Sequence, residues 1–305
     1  MSASNTSVAN TPFPSRALSW RSLLFVPATQ TKFVAKAHTR GADAIILDLE
    51  DAIAPDQKEA ARTALPEAAG RIAAHGVPIC VRVNRPLELA IADLEAASIP
   101  EVSVLMLPKV MGPEHVMLLD EAVTAFEHAR GLPAGGLRFI AVIETAAALA
   151  HLRAIAAASP RVAAMGLGNE DLSAELQAEP SADALYPFAM EVVAACRAEG
   201  ITPFGTVGPF ADFADLAGFR DGLRYSRRLG FASAACIHPT QVAVVNEEYG
   251  VSDADADRAE RLIAAFEAAL AEGLGAVAFE GMMVDLPVAE RARALLARAG
   301  RSTTR

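Results

Sequence analysis

The feature of this sequence that most limits its fold is a series of eight short apolar runs, separated by segments long enough to form helices. Most of the runs are continuously apolar, which is typical of parallel strands buried on both faces. The runs are SLLFVP (22–27), AIILDL (44–49), PICVRV (78–83), VSVLMLP (102–108), RFIAVIE (138–144), RVAAMGL (161–167), TPFGTV (202–207) and ASAACI (232–237). Strands and helices that alternate eight times predict an α/β fold of the (β/α)8 TIM-barrel type.

An open, doubly wound parallel sheet is the alternative to a barrel. Such a sheet usually carries a glycine-rich turn after its first strand, but residues 26–30 read VPATQ and contain no glycine. Residues 58–74 and 113–130 are long enough to be crossover helices between strands. The pattern therefore favours the closed barrel.

The chain continues beyond the eighth run with a predicted helical extension. Ser252 opens a helix with Asp255 in the position of a capping box, and Leu262, Ile263 and Phe266 lie on one face of it. A glycine-broken stretch, residues 273–281, is expected to be flexible and precedes Asp285 and a last basic helix. We therefore predict a flexible tail over 1–19, a catalytic barrel over 20–250 and a helical lid over 251–305.

Composition excludes several classes of partner. The 305 residues carry a formal net charge of −10, which disfavours nucleic acid and anionic membranes as partners. The most apolar long stretch, residues 139–158, contains Glu144, His151 and Arg153, so no membrane span is expected. Residues 1–19 lack the basic start and apolar centre of a secretion signal, and we expect a cytoplasmic protein. The three cysteines, which are widely spaced within apolar runs, are expected to be buried.

Charged side chains follow most of the predicted strands at the points where the strands end. They are Asp48, Glu50 and Asp51 after strand two, Arg82 after strand three, Lys109 after strand four, Glu144 after strand five, Asp171 after strand six and His238 after strand eight. The carboxyl ends of all strands meet at one rim of a parallel barrel, where active sites lie. Any one of these charges could be a solvated loop residue, but together they predict a polar site.

Carboxylates that converge on one rim repel each other unless a cation lies among them. Hard oxygen ligands without a His or Cys partner suit Mg²⁺ or Mn²⁺ rather than Zn²⁺. A bound Mg²⁺ can act as a Lewis acid on a chelating hydroxy acid or keto acid. The sequence therefore predicts a Mg²⁺ site, with Mn²⁺ as the other possible ion.

The order of short motifs resembles the citrate lyase β-subunit-like group of the HpcH/HpaI aldolase superfamily, which includes malyl-CoA and citramalyl-CoA lyases. The resemblance extends from Arg21 to about Arg298. The motifs are RSLLFVP (21–27), DLEDA (48–52), KEAAR (58–62), VRVN (81–84), LPKV (107–110), IET (143–145), GNED (168–171), IHPTQ (237–241) and GMMVDLP (281–287). Each motif is weak alone, whereas nine in this order are specific.

The resemblance implies roles for individual residues. Glu144 and Asp171 resemble the Mg²⁺ ligands, and Glu144 is also expected to contact the substrate. Arg82 resembles the cation that stabilises an enolate or binds a substrate acid group. Asp48, Glu50 and Asp51 resemble an acidic loop that orders metal-bound waters. The expected catalytic residues are Arg82, Asp51 and Asp285, and the expected contacts to substrate or to the CoA phosphates are Arg21, Lys58 and Arg62.

The resemblance also implies an assembly, because members with this C-terminal tail are homotrimers or multiples of trimers. Asp285 resembles the aspartate that reaches a neighbouring subunit's site. A purely structural role remains an alternative for three of these residues. Asp285 and Asp171 could each cap a helix, and Glu144 could form a salt bridge. For His238, which lies in an Ile-His-Pro turn, the structural role is the preferred interpretation.

The chain departs from the family pattern in four places, one of them a dipeptide. Ala28 replaces a glycine, the loop after strand six ends in Gln177 instead of glycine, Phe188 replaces an arginine, and Ser233 and Ala234 replace Gly-Lys. These changes leave Glu144, Asp171 and Arg82 unaltered. They bear on the acyl group and on the recognition of CoA.

The resemblance implies a Mg²⁺-dependent carbon–carbon lyase that cleaves or forms a 3-hydroxyacyl-CoA, such as malyl-CoA or citramalyl-CoA. The products of cleavage would be an acyl-CoA and a 2-keto acid. One alternative is an acyl-CoA thioesterase or a malate-synthase-like enzyme that uses the same site. Others are an accessory citrate-lyase β-like subunit within a carrier-protein complex, and a class II aldolase on pyruvate without a CoA site.

Overall fold

The computed structural model describes residues 16–208 and 213–301, which form an eight-stranded parallel barrel and a small C-terminal unit. Each predicted apolar run contains one strand of the barrel. The strands are β1 (Ser22–Pro27), β2 (Ala44–Asp48), β3 (Ile79–Arg82), β4 (Val102–Leu107), β5 (Arg138–Ile143), β6 (Val162–Leu167), β7 (Thr202–Phe204) and β8 (Ala234–Cys236). The prediction of eight parallel strands is confirmed.

The strands pair in the order in which they occur along the chain. Neighbours from β1 to β7 are parallel, and β1 also pairs with β8. A parallel bridge between Phe204 and Ser233 joins β7 to β8, and the Gly205 amide donates to the Ser233 carbonyl at 2.7 Å. An open doubly wound sheet would reverse its strand order at a switch point, and this sheet does not. The barrel is therefore closed.

Helices in the described part of the chain follow the strands and cover the outside of the barrel. They are α1 (Thr31–Ala37), α2 (Lys58–Ala73), α3 (Leu87–Ala97), α4 (Pro113–Ala129), α5 (Ala146–Leu149), α6 (Leu152–Ala157), α7 (Asn169–Leu176), α8 (Ala182–Glu199), α9 (Leu216–Leu229) and α10 (Pro239–Glu248). The two crossover helices predicted over 58–74 and 113–130 are α2 and α4. None of the described helices is long and apolar enough to cross a membrane.

Two apolar layers hold the barrel together, because side chains alternate between its inside and its outside. Leu23, Ile46 and Ile140 belong to the inner layer, where Leu18 and Trp20 also pack. Leu24, Ile45 and Phe139 belong to the outer layer and pack under the helices. All three cysteines are buried and unpaired, as the sequence predicted.

The segment immediately before β1 contacts the barrel. Arg16 donates from Nη2 to the Ser159 carbonyl at 2.6 Å, and the Thr202 hydroxyl donates to the Leu18 carbonyl at 2.9 Å. Residues 1–15 of the predicted tail lie outside the described residues.

The C-terminal unit consists of two helices and a hairpin. It contains α11 (Asp253–Ala271), β9 (Val277–Phe279), β10 (Met282–Val284) and α12 (Leu286–Arg298). The predicted cap is present, since the Asp255 amide donates to Ser252 Oγ at 3.0 Å. Val284 is buried against both helices.

Residues 277–281 of the glycine-broken stretch form the first strand and the turn of this hairpin. Strands β9 and β10 pair antiparallel around Glu280 and Gly281, whose φ angles are 48° and 80°. Left-handed φ at both central residues is what a tight type I′ hairpin turn requires. Arg258 on α11 also donates to the Glu280 carboxylate at 2.6 Å, which ties the turn to the helix.

A buried ion pair connects α4 to the start of β6. Arg161 and Glu127 have side chains that are 3% and 1% exposed, and Arg161 Nη2 lies 2.7 Å from Glu127 Oε2. The Glu127 carboxylate also accepts hydrogen bonds from the Gly135 and Leu137 amides. Burial alone would raise the pKa of Glu127, but these donors lower it overall. Removal of the carboxylate would therefore leave the buried guanidinium with Asp120 as its one remaining carboxylate partner, and the Gly135 and Leu137 amides without their acceptor.

We expect Glu127→Ala to lower the free energy of unfolding by about 3–5 kcal/mol, because removal of one partner exposes the cost of burying the other. Urea denaturation followed by circular dichroism measures this change. Glu121→Ala is the matched control on the exposed face of the same helix and should change the unfolding free energy by less than about 0.5 kcal/mol. Equal effects of the two substitutions would show that the pair contributes little.

Candidate functional site

The carboxyl ends of the strands surround a cavity of about 230 Å³, which we call the mouth. Four of the predicted site residues line it: Asp51, Arg82, Glu144 and Asp171. Much of the rest of its lining is apolar and includes Phe25, Met106, Val142, Phe204 and Ala235. The mouth therefore combines a charged wall with an apolar floor, which is typical of a site for a small organic molecule.

Arg82, the last residue of β3, is held by the loop that follows β2. Its Nε and Nη2 each donate to one oxygen of Asp48 at 2.7 Å, which forms a bidentate pair. Its Nη1 lies 3.1 Å from Glu50 Oε2 and 3.5 Å from Asp51 Oδ2. Burial alone would lower the pKa of Arg82, but these carboxylates raise it overall. Arg82 is thus a fixed cation that retains free N–H donors.

Glu144 lies at the end of β5 and has a relative exposure of only 7%. The Lys109 amide donates to its Oε2 at 2.6 Å. Burial raises the pKa of Glu144 to about 7, with further contributions from the nearby carboxylates of Asp171 and Glu50. A Cβ atom on Gly168 would overlap the Glu144 side chain, so the glycine makes the space in which this carboxylate lies.

Lys109 belongs to the site, although the sequence indicated only that it follows a strand and did not indicate its role. Its Nζ lies 2.9 Å from Glu50 Oε1, 3.7 Å from Asp51 Oδ1 and 3.6 Å from Asp171 Oδ1. Its φ angle of 49° is in the left-handed region, which is uncommon for a residue other than glycine. This bend lets one residue bind Glu144 through its backbone and Glu50 through its side chain.

The carboxylates of the mouth fit a hard divalent cation. Glu144 and Asp171 bring two carboxylates to the cavity, and burial, followed by the neighbouring carboxylates, raises the pKa of Glu144, so a cation bound there would favour its charged form. The described residues contain no group of three or more His, Cys, Asp or Glu side chains arranged around a metal position. Mg²⁺ needs only one or two carboxylates, because waters and substrate oxygens complete its octahedron.

Lys58 and Arg62 lie behind the acidic loop. Lys58 Nζ donates to the carbonyls of Leu49 and Glu50 at 2.9 and 2.7 Å. Arg62 Nε donates to Asp93 at 2.7 Å, and Asp93 in turn accepts from the Asn84 amide. The structure therefore gives both cations contacts that hold the loops after β2 and β3.

Arg21 lies at the other end of the barrel, because it precedes β1 rather than following it. It forms a bidentate pair with Asp43, at 2.9 Å from Nε and 2.8 Å from Nη2. The structure does not bring Arg21 to the mouth. The sequence already indicated this position, because a residue that precedes a parallel strand lies at the amino end of the barrel.

Asp285 and His238 both occupy helix caps. The Val288 amide donates to Asp285 Oδ1 at 3.3 Å at the start of α12, and Asp285 does not line the mouth of its own chain. His238 caps α10 together with Gln241 in a capping box. The preferred structural interpretation of His238 agrees with this geometry.

The four departures from the family pattern lie in different places. Ala234 lines the mouth, and Ala28 is buried next to β1. Gln177 ends α7 with a φ of 55°, where glycine would be unstrained. Phe188 packs against the outer apolar layer. Of these positions, Ala234 is the one in direct contact with the cavity.

Three comparisons identify the relatives of this chain. The family described as HpcH/HpaI aldolase/citrate lyase matches residues 21–239. The L-malyl-CoA/beta-methylmalyl-CoA lyase of Cereibacter sphaeroides is 35% identical over 302 residues, covering 92% of this chain and 94% of the relative. The citrate lyase subunit beta of Escherichia coli is 34% identical over 282 residues, covering 92% and 93%.

A solved structure has the same fold. CitE from Mycobacterium tuberculosis, crystallised in complex with magnesium, acetoacetate and coenzyme A, is 33% identical, with a TM-score of 0.74 over 94% of this chain and 100% of that chain. The family match over residues 21–239, and the similarity to these relatives over more than nine-tenths of the chain, confirm the resemblance. The chain is thus a lyase that belongs to the HpcH/HpaI aldolase/citrate lyase family.

Proposed function

We propose that this protein is a Mg²⁺-dependent lyase that cleaves or forms a 3-hydroxyacyl-CoA carrying a carboxylate beside its hydroxyl. The observation that carries the proposal is the buried Glu144 carboxylate, which lines the mouth together with Asp171 and Arg82. Malyl-CoA and citramalyl-CoA are substrates of this class. The names of the relatives and the ligands of the Mycobacterium tuberculosis structure support the same chemistry.

Glu144 and Asp171 would hold the metal, with Mn²⁺ as a possible substitute for Mg²⁺. When bound there, Mg²⁺ would supply a Lewis acid that lowers the pKa of the substrate hydroxyl. The backbone amide of Lys109 would keep the Glu144 carboxylate oriented into the cavity, and its ammonium would limit repulsion between Glu50 and Asp171.

Arg82 would bind the oxygen on which negative charge develops. Its position is fixed by Asp48, so its free N–H groups need not reorganise during the reaction. A preorganised donor of this kind contributes roughly 3–4 kcal/mol to transition-state stabilisation. The apolar floor of the mouth would exclude water from the reacting carbon atoms.

Two carboxylates would transfer protons. Asp51 has a side chain that is 57% exposed, lines the mouth and would accept the hydroxyl proton as the bond between the hydroxyl carbon and the thioester α-carbon breaks. The electron pair of that bond passes to the acyl-CoA enolate, and the hydroxyl carbon becomes the ketone of a 2-keto acid. Asp285 would then deliver a proton, taken up from solvent, to the enolate carbon, and Asp51 would release the hydroxyl proton to solvent.

Asp285 would act on the site of a neighbouring subunit. It lies outside the mouth of its own chain, next to Met283 and Leu286, whose relative exposures are 71% and 52%. Exposed apolar side chains beside a polar residue suit a surface that packs on another subunit. A homotrimer, or a multiple of trimers, would provide that neighbour.

A second candidate function is that of an accessory subunit that acts only within a carrier-protein complex. The similarity to the citrate lyase subunit beta of Escherichia coli favours it. Turnover of a free CoA thioester by the isolated chain would exclude this role.

We expect the purified protein with Mg²⁺ to release a 2-keto acid from malyl-CoA or citramalyl-CoA, measured by a coupled dehydrogenase assay.

Glu144→Gln and Asp171→Asn should each reduce turnover by more than about 10³-fold, because each removes one of the two metal-binding carboxylates. Each should also weaken Mn²⁺ binding, measured by electron paramagnetic resonance. Glu179→Gln, on an exposed loop, is the control. Full activity in excess EDTA, or free CoA without keto acid, would contradict the proposal.

Arg82→Lys should lower kcat by roughly 10²-fold or more, because an ammonium cannot reproduce the bidentate pair with Asp48 while it donates to the substrate. Steady-state kinetics measures this loss, and circular dichroism checks the fold. Arg71→Lys, on the exposed surface of α2, should leave kcat unchanged. A change below threefold in Arg82→Lys would mean that the arginine only neutralises its neighbours.

Asp285→Asn and Glu144→Gln proteins should each be inactive alone, and mixed oligomers reassembled from both should regain part of the activity. The reason is that some mouths in a mixed oligomer would combine an intact Glu144 with an intact neighbouring Asp285. Turnover after subunit exchange, normalised to the fraction of mixed oligomers by mass spectrometry, measures the recovery. Near-normal turnover by Asp285→Asn alone would show that the aspartate is only the cap of α12.

A further inference from the structure

A second cavity, of about 530 Å³, lies at the amino end of the barrel, opposite the mouth. Its walls come from the segment before β1, the starts of β7 and β8, the link between α10 and α11, and the end of α12. Three arginines line it: Arg21, Arg197 and Arg298. We call it the arginine cavity. It lies between the barrel and the C-terminal unit.

Two of the three arginines have no carboxylate partner in residues 16–208 and 213–301. Arg21 is neutralised by Asp43, whereas Arg197 donates to the Gly230 carbonyl and Arg298 to the Tyr249 carbonyl, each at 2.8 Å. A guanidinium carries five N–H donors, so most donors of these two side chains remain free.

The cations around the arginine cavity also affect one another. Burial lowers the pKa of Arg298, and the positive charges of Arg227 and Arg197 lower it further. Arg227 itself lies 3.5 Å from Asp255 Oδ2. Cations collected in this way, within a chain of formal net charge −10, create a local positive potential that favours an anion.

We propose that the arginine cavity binds a small polyanion with at least two oxyanion groups, held by Arg197 and Arg298. Planar guanidinium groups bind phosphate and carboxylate oxygens in pairs, which gives such a site its specificity. The volume of the cavity falls in the range of sites for small organic ligands. A phosphate ester and a polycarboxylate share this chemistry.

The bound anion would join two parts of the chain. Arg197 lies on α8 of the barrel, and Arg298 lies on α12 of the C-terminal unit. Tyr249, whose carbonyl accepts from Arg298, donates its hydroxyl to the Gly205 carbonyl at 2.8 Å, and Gly205 lines the mouth. The anion would therefore stabilise the C-terminal unit against the barrel, through residues that also contact the catalytic end.

Isothermal titration calorimetry of the full chain with pyrophosphate and with citrate, in EDTA, tests this site. We expect one anion to bind per chain, and Arg197→Gln and Arg298→Gln each to weaken binding at least about tenfold, which corresponds to about 1.4 kcal/mol. Arg291→Gln, on the exposed face of α12, and Arg82→Gln, in the mouth, should bind like the unmodified protein. Tighter binding of pyrophosphate would identify a phosphate ligand, and tighter binding of citrate a polycarboxylate.

The same titrations can overturn the proposal. No heat of binding at millimolar pyrophosphate and citrate would show that the cavity takes no such anion. Binding that Arg82→Gln abolishes and Arg197→Gln leaves intact would locate the anion in the mouth instead. Thermal unfolding of each variant checks that it is folded. If Arg298→Gln does not fold, Arg197→Gln still tests the site, because it alters a side chain on the barrel surface.

Discussion

The bidentate pair between Asp48 and Arg82 is the interaction on which the catalytic end of the barrel depends. Its side chains are 2% and 16% exposed, so loss of either partner would leave a poorly solvated charge. Asp48 also accepts from the backbone amides of Glu50 and Ala52, which fixes the loop after β2. Burial alone would raise the pKa of Asp48, but Arg82 and these amides lower it overall.

The network extends from this pair to two further strand ends, those of β4 and β5. Glu50 contacts both Arg82 and Lys109, and the Lys109 amide reaches Glu144. Each charge therefore has its position set by a neighbour on another strand, and the left-handed backbone of Lys109 is the geometric cost of this arrangement, about 1–3 kcal/mol. Such a site is rigid before any substrate binds, which is what electrostatic stabilisation of a transition state requires.

The two ends of the barrel differ in their charge. Carboxylates outnumber cations in the lining of the mouth, while at the amino end Arg197 and Arg298 have no carboxylate partner among the described residues. The difference follows from topology, because residues after a parallel strand meet at one end and residues before it meet at the other. Arg21 illustrates the rule, since it precedes β1 and pairs with Asp43 at the amino end. The C-terminal unit reaches the amino end through Arg298. It carries Asp285 directly after a hairpin whose turn, Glu280-Gly281, lacks the usual Asn-Gly signal.

The sequence by itself determined the eight strands, their parallel pairing and the group of Asp51, Arg82, Glu144 and Asp171 at one rim. It could do so because continuous apolar runs and strand ends are local features of the chain, and parallel topology converts them into a position in space. Tertiary structure decided the roles of side chains that lie on helices or in bent backbone. Lys58 and Arg62 support loops, and Lys109 joins the carboxylates, because those contacts depend on how helices pack and on a φ angle that no local pattern encodes.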